Sequence, residues 1–495
     1  MNTELVSAAS IPASATRIAG KQVVGDGENF DVVTPIDGSV LGSERASSPA
    51  QVQAAVRAAA AAQPGWAATP ADERARILLT AVASLRVDIE RLSTLIMLDN
   101  GKTRAEAQQD VYAAAALLES AAEWARRVKG TTLVEGSGLE RFTWREPVGV
   151  VAIFMPFNAP LMFSAMKAGA AIAVGNTVVV KSPMQNPYAA AVFADHLADA
   201  GVPAGVYNVL QGGADVGEAM VDAPELAMVS FTGSSDVGAI VGQRAVAQLK
   251  RLILELGGKS ANVVFDDAPF DAAVDGSLAA IFRNSGQRCF SGSRLLLQEG
   301  IAEKFLASYV EKARSLRVGS PFDDDTQVGA LITAADVQRV HAIVEQACAE
   351  GATVLCGGEL PTEVAGRGAY YPPTVIDCTL VPNATVLQEE VFGPVVAVQR
   401  FATEDEAVTL ANSTRYALAG GCWSADFGTG LRMARRVDAG MYWINSYAVH
   451  GGVEVTIGGR GASGFGQEMG EEGILAYTNV KTVLMDTRGD AVKGM

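Results

Sequence analysis

The chain is poor in the residues that staple small or metal-dependent proteins together. Its 495 residues include five cysteines and three histidines. Cys289, Cys348, Cys356, Cys378 and Cys422 are odd in number and show no CxxC spacing, and the histidines stand far apart. Neither a disulfide framework nor a metal site is signalled, which fits a reducing cytoplasm. Basic charge is short as well. With 39 Lys and Arg against 55 Asp and Glu, the net charge is −16, and no basic run could track a phosphate backbone. Nucleic acid and anionic membranes are therefore poor partners. No apolar run is long enough to span a bilayer, because Asn158, Pro160, Lys167, Gly175 and Asn176 interrupt the most apolar stretch, 155–180. The first twenty residues place Glu4 ahead of the first basic residue, Arg17, and lack the basic-then-apolar order of a signal peptide, so no export is expected.

The remaining composition, 49% hydrophobic and 19% charged with 51 Gly and 19 Pro, is that of an ordinary globular protein. A single core stops growing at about 300 residues, so this length implies several domains. The first hundred or so residues read as helical. Thr69-Pro70-Ala71-Asp72 offers an N-cap, a first-turn proline and an acid for one amphipathic helix running to Asn100-Gly101. Arg141 to Arg145 reads as a strand of an exposed hairpin that Glu146-Pro147-Val148-Gly149 ends. From Val148 onward, short apolar runs at 148–154, 177–180, 206–210, 226–231 and 252–254 alternate with Ala-rich helical stretches, the pattern of a parallel α/β sheet. A second alternating segment follows Ala261. Gly458 to Gly466 reads as a flexible loop.

Parallel sheets hold ligands at the carboxyl ends of their strands, so the polar residues just beyond each apolar run are the first candidates. They are Pro156-Phe157-Asn158, Lys181-Ser182-Pro183, Phe231 to Gly238 and Glu255 to Ser260. A fifth segment, Asn284 to Cys289, sets a thiol in a polar turn. Taken singly, each has an ordinary reading: a small buried cysteine, a capping glutamate, a plain strand-to-helix turn, a turn asparagine, a solvated lysine.

Together the strings PFNAPL, FTGSSDVG, LELGGKS, GQRC, EEVFGPV and SGFGQEMGEEGILAYTNVKTV resemble, in order and spacing, the NAD(P)-dependent aldehyde dehydrogenase superfamily over essentially the whole chain. The resemblance implies an α/β fold with a Rossmann-type nucleotide-binding domain (1–126 and 148–257), an α/β catalytic domain (258–461) and a small β oligomerisation domain (127–147 and 473–490). It implies Cys289 as a covalent nucleophile, Asn158 as an oxyanion donor with the Cys289 backbone N–H, and Glu255 as the base that hydrolyses the thioester. Lys167 and Glu468 match positions that relay protons or order the water, or else form a structural ion pair. For NAD+ or NADP+, it implies contacts from Met155, Pro156, Phe157, Lys181, Gly213, Phe231, Gly233, Ser234, Leu256, Glu390 and Phe392.

For the aldehyde, the resemblance points to Ala159, Met162, Phe163 and Met166, some of them alternatively core, and to Arg288, Phe290 and His450. Apolar walls favour hydrophobic aliphatic or aromatic aldehydes over charged semialdehydes. Arg288 either faces a substrate anion or forms a structural salt bridge. Many NAD-preferring members carry an acid three residues after the lysine where this chain has Met184, so use of both cofactors is expected. An uncovered edge strand implies a homodimer or homotetramer. Two rivals are a CoA-acylating dehydrogenase, against which Glu255 argues, and a non-catalytic relative, against which Cys289, Asn158 and Glu255 argue.

Overall fold

The computed structural model describes residues 10–134, 138–360, 368–449 and 451–487. The five apolar runs after Val148 become five parallel strands, Val150–Phe154, Thr177–Lys181, Tyr207–Leu210, Leu226–Thr232 and Arg251–Glu255. Across the sheet the third lies beside the second, then the first, the fourth and the fifth. The order thus reverses between Val150–Phe154 and Leu226–Thr232, and the crevice beyond their carboxyl ends is where such sheets bind ligands. Thr16–Ile18 and Lys21–Val23 extend one edge, and Gly464–Phe465 pairs antiparallel with Leu254 and Glu255 at the other.

A second sheet of seven strands runs Thr353–Cys356, Thr374–Asp377, Val395–Phe401, Arg294–Gln298, Ala261–Val264, Ala419–Trp423, Met441–Ile444. It is parallel except for its first pair. A third sheet joins Leu139–Pro147 to Thr478–Asp486 over nine antiparallel residue pairs and carries Thr132–Leu133 on its far edge. The RFTWR strand is therefore the centre of a three-stranded sheet.

The amino-terminal expectation needs correction. Four short strands, Thr16–Ile18, Lys21–Val23, Asn29–Val33 and Val40–Arg45, precede the first helix, Pro49–Ala68. The helix expected over 69–101 is two helices, Ala71–Val87 and Ile89–Asn100. Thr69 does not cap the first of them; its hydroxyl donates back to Gly65 O. The break falls at Asp88, whose carboxylate is drawn away to Arg91 and to His196 Nε2 at 3.1 Å. Gly458–Gly466 is likewise no free loop: Arg460–Gly461 pairs with Tyr416–Ala417, and Gly464–Phe465 joins the first sheet.

Candidate active site

The chain leaves Val150–Phe154 at the switch point and turns through Met155, Pro156 and Phe157 into Asn158. Two buried asparagines fix that turn, since Asn100 Nδ2 and Asn186 Nδ2 each donate to Phe157 O at 2.7 Å. Asn158 is buried and donates through Nδ2 to Gln287 O at 2.9 Å. This bond ties it to the turn that carries Cys289. Asn284 and Ser285 hold φ of 53° there, a left-handed conformation that costs free energy in residues with a Cβ. Asn284 Nδ2 stabilises it by donating to Asn158 O at 3.2 Å and Gln287 O at 3.1 Å, while Asn284 N donates to Glu106 at 2.6 Å.

Glycine explains why Cys289 and Glu390 can meet the end of strand Arg251–Glu255. A Cβ on Gly258 would lie 2.3 Å from Cys289 O, and one on Gly257 would lie 2.2 Å from Glu390 Oε2. Gly258 N donates to Glu390 Oε1 at 3.1 Å. The Cys289 thiol is pushed up to about 12, chiefly by burial and then by Glu390 and Glu255, with Arg288 pulling the other way. Burial also lifts Glu390 to about 7, against the Gly258 N–H and Lys259.

Glu255 is buried, and its carboxyl is held well above the usual range by desolvation and by the negative charge of Glu468, partly opposed by Lys167. Its Oε1 has no hydrogen-bond partner among the described residues, nor has Glu468 Oε2. Lys167 lies in a π-helical turn, Ser164–Gly169, a local widening common at functional sites. From it the Lys167 ammonium pairs with Glu468 and donates to Ser230 Oγ at 3.1 Å, all three side chains being buried. Tyr477 OH donates to Ser230 Oγ at 3.4 Å.

On the other flank Lys181 ends its strand, its pKa lowered to about 8 by burial against a raising contribution from Asp215. Met184 is partly exposed nearby in sequence. Gly213 caps helix Ala214–Asp222, and Ser234 caps Ser235–Val246 by accepting from Val237 N at 3.4 Å. A helix start carries N–H groups that the helix itself does not satisfy, and such an end suits an anion such as a pyrophosphate. Gly233 is required because its Cβ would fall 2.7 Å from Phe231 Cζ, and Leu256 packs against Gly238. Phe392, at φ 50°, meets Phe157 edge-on at 5.6 Å.

Of the substrate candidates, Phe163 and Met166 are buried in the core around helix Arg104–Trp124, whereas Ala159 and Met162 are partly exposed beside it. Phe290 packs 6.0 Å from Trp443, which lies 5.0 Å from Tyr447. Arg288 forms no salt bridge among the described residues; its guanidinium stacks over Phe290 at 4.4 Å. His450 lies outside the described residues.

Several contributors escape sequence reasoning. Gln287, Asn284, Asn100 and Asn186 build the amide web, and the signal for them is only that amides cluster near the turn. Ser463 and Gly459 in the glycine-rich segment brace the site: Ser463 Oγ donates to Gly257 O at 2.7 Å, and Gly459 N–H reaches Glu255. Glu106 was readable only as a capping-box residue of Thr103, which it also is.

Known proteins resemble this chain over nearly its whole length. The model of the aldehyde dehydrogenase family matches residues 23–483. A betaine aldehyde dehydrogenase of Rhizobium etli (strain CIAT 652) is 37% identical over 463 residues, 92% of this chain and 94% of that protein. The crystal structure of an NAD-dependent aldehyde dehydrogenase from Sinorhizobium meliloti superposes with a TM-score of 0.95 at 36% identity, covering 99% of this chain and 98% of that one. An E. coli NADP-dependent enzyme gives 0.93 at 33% identity, with 98% and 99% covered.

Proposed function

The chain belongs to the aldehyde dehydrogenase family, and we propose that it oxidises an aldehyde to its carboxylic acid through a covalent bond to Cys289. One observation carries this: Asn158, Cys289, Glu255 and Glu390 come from four separate segments, yet close glycine contacts and amide bonds bring them to one strand end. The Cys289 sulfur adds to the aldehyde carbon. Asn158 spends one amide hydrogen on Gln287 O and has a second for the developing oxyanion, together with the Cys289 backbone N–H.

Bound NAD+ or NADP+, as the family employs, would supply the hydride acceptor that lets the Cys289 adduct become a thioester. The residues present fit such a nucleotide: the Gly257–Gly258 cradle beside Glu390, two helix starts at Gly213 and Ser234, and the Lys181 ammonium. Met155, Pro156, Phe157, Phe231, Leu256 and Phe392 would line the nucleotide site, and Met184 would leave both cofactors acceptable. Glu255 then takes a proton from water, the resulting hydroxide displaces the thiolate, and the acid leaves. Per turnover an aldehyde, an oxidised nicotinamide and a water give an acid anion, a reduced nicotinamide and two protons. Lys167 and Glu468 pass on the proton that Glu255 accepts. Aldehyde-dependent formation of reduced nicotinamide tests this reading. Cys289→Ala should abolish it while nucleotide binding persists, and turnover in that variant would end the proposal.

Ala159 and Met162 support an aldehyde with an apolar body, aliphatic or aromatic. We assign residues 1–126 and 148–257 to nucleotide binding, 258–461 to catalysis, and 127–147 with 473–490 to assembly. Leu133, Trp144, Val480 and Leu484 are exposed on the third sheet and favour a homodimer or homotetramer, which light scattering would measure. Five free thiols favour a cytoplasmic enzyme.

A further inference from the structure

Arg288 is a cation beside the nucleophile with almost nothing to hold. A guanidinium has five N–H donors. Among the described residues, the two arginines buried without a carboxylate partner spend theirs on backbone carbonyls and, at Arg294, one hydroxyl. Arg294 donates to Lys259 O, Leu410 O, Ala411 O and Ser413 Oγ, and Arg74 to Ala173 O, Ala67 O and Thr69 O. Arg288 makes one long bond, Nη2 to Ala448 O at 3.4 Å, and otherwise lies on the Phe290 ring. Its pKa falls to about 10 through burial, with the Cys289 sulfur the largest opposing influence, so it stays charged at neutral pH. A half-buried charge with unspent donors costs free energy unless a partner arrives.

The surroundings define that partner. Phe290, Trp443 and Tyr447 form a continuous aromatic run, and Trp443 Nε1 fixes it by donating to Val449 O at 2.9 Å. An open aromatic face would attract a quaternary ammonium. Here the chain's own guanidinium already covers the Phe290 face, and an incoming cation would meet like charge. Resting on the reading of Cys289 as the nucleophile, we propose that Arg288 selects aldehydes that carry a carboxylate on an apolar, preferably aromatic, body, and rejects cationic ones such as betaine aldehyde. The guanidinium fork grips a carboxylate in two parallel bonds while the ring stacks on the aromatic run. This retains the apolar wall expected from the sequence and reverses the expectation against charged substrates.

The experiment compares three aldehydes of one shape: para-formylbenzoate, its methyl ester and para-trimethylammonium benzaldehyde. The wild type should favour the carboxylate over the ester by about tenfold or more in kcat/KM, with the ammonium compound poorest. The advantage should shrink as salt rises. Arg288→Met should remove the carboxylate-to-ester ratio and Arg288→Lys should keep part of it, an order that a merely structural arginine would not produce. A wild type that favours the ester or the ammonium compound, or a ratio unchanged in Arg288→Met, overturns the proposal while leaving the Cys289 reading intact. Oxidation of none of the three defeats both.

Discussion

Replacing Gly258 by alanine isolates how much the reaction depends on the fit between strand end and the proposed nucleophile, Cys289. The added methyl carbon would stand 2.3 Å from Cys289 O, whereas ordinary contact begins at 3.4 Å, so the two segments must part by 3.4 − 2.3 = 1.1 Å. A backbone carbonyl cannot rotate aside as a side chain can. On the other side Leu418 is already 3.3 Å away and blocks the methyl from retreating. Overpacking of this kind costs about 1–3 kcal/mol of stability. A reacting atom displaced by about 1 Å loses roughly 10²-fold in rate, equivalent to about 2.7 kcal/mol of barrier. The assays are the pre-steady-state burst of reduced nicotinamide and chemical denaturation. Two comparisons sharpen them. Gly257→Ala meets only the movable end of Glu390, so it should raise the nucleotide KM more than it slows the burst. Gly65→Ala, inside helix Pro49–Ala68 with nothing within 4 Å, should stabilise by about 0.5–1 kcal/mol and leave the kinetics alone. A wild-type burst in Gly258→Ala would refute the close approach.

Glu255→Gln should keep the burst but lower steady-state turnover by about 10²–10⁴-fold, with an acyl adduct on Cys289 visible by mass spectrometry. Because burial and Glu468 hold Glu255 protonated, wild-type deacylation should climb as pH rises, and that climb should vanish in the variant. The same raised pKa gives stability present in acid and lost as pH rises through the folded-state value, so Glu255→Gln should match the wild type in acid and surpass it in alkali, read by denaturation at several pH values. Burial lowers Lys181 to about 8, so its ammonium is charged below that pH and nucleotide affinity should fall above it, as titration calorimetry would show. Met184→Glu should shift the cofactor ratio in kcat/KM toward NAD by about 1–3 kcal/mol, and an unchanged ratio would place the choice elsewhere.

The sheet that carries the site was legible because its strands are buried on both faces and so read as continuous apolar runs. The proposed catalytic groups were nameable from sequence because LELGGKS and GQRC are local strings. Gly257 and Gly258 show what such a string encodes, since each is glycine to admit a residue more than thirty positions away. The amino-terminal strands were hidden because segments of three to six residues such as Thr16–Ile18 and Val40–Arg45 carry little periodicity, and they are specified by what they pair with. The break at Asp88 carries no local signal either, and the contact its carboxylate makes is with His196 in a distant helix. Gly464 and Gly466 suggested flexibility, but their positive φ and the strand backbone 2.0 Å from a Cβ on Gly464 show glycine used for close approach. Composition cannot distinguish these two uses.

The electrostatics of the site follow one rule, that a buried group remains uncharged unless a partner is built for it. Lys167 and Glu468 have each other, and Ser230 and Tyr477 furnish hydroxyls around them. Cys289 and Glu255, the proposed nucleophile and base, are both held toward their neutral forms, chiefly by burial. Each therefore becomes reactive only when its surroundings change, and a thiol kept protonated between turnovers is protected from stray oxidation. Arg288 breaks the rule: it is charged, half-buried and nearly without partners, within electrostatic reach of the same sulfur. Lys181 shares that condition below about pH 8 and is assigned to the nucleotide; for Arg288 the matching charge comes with the substrate.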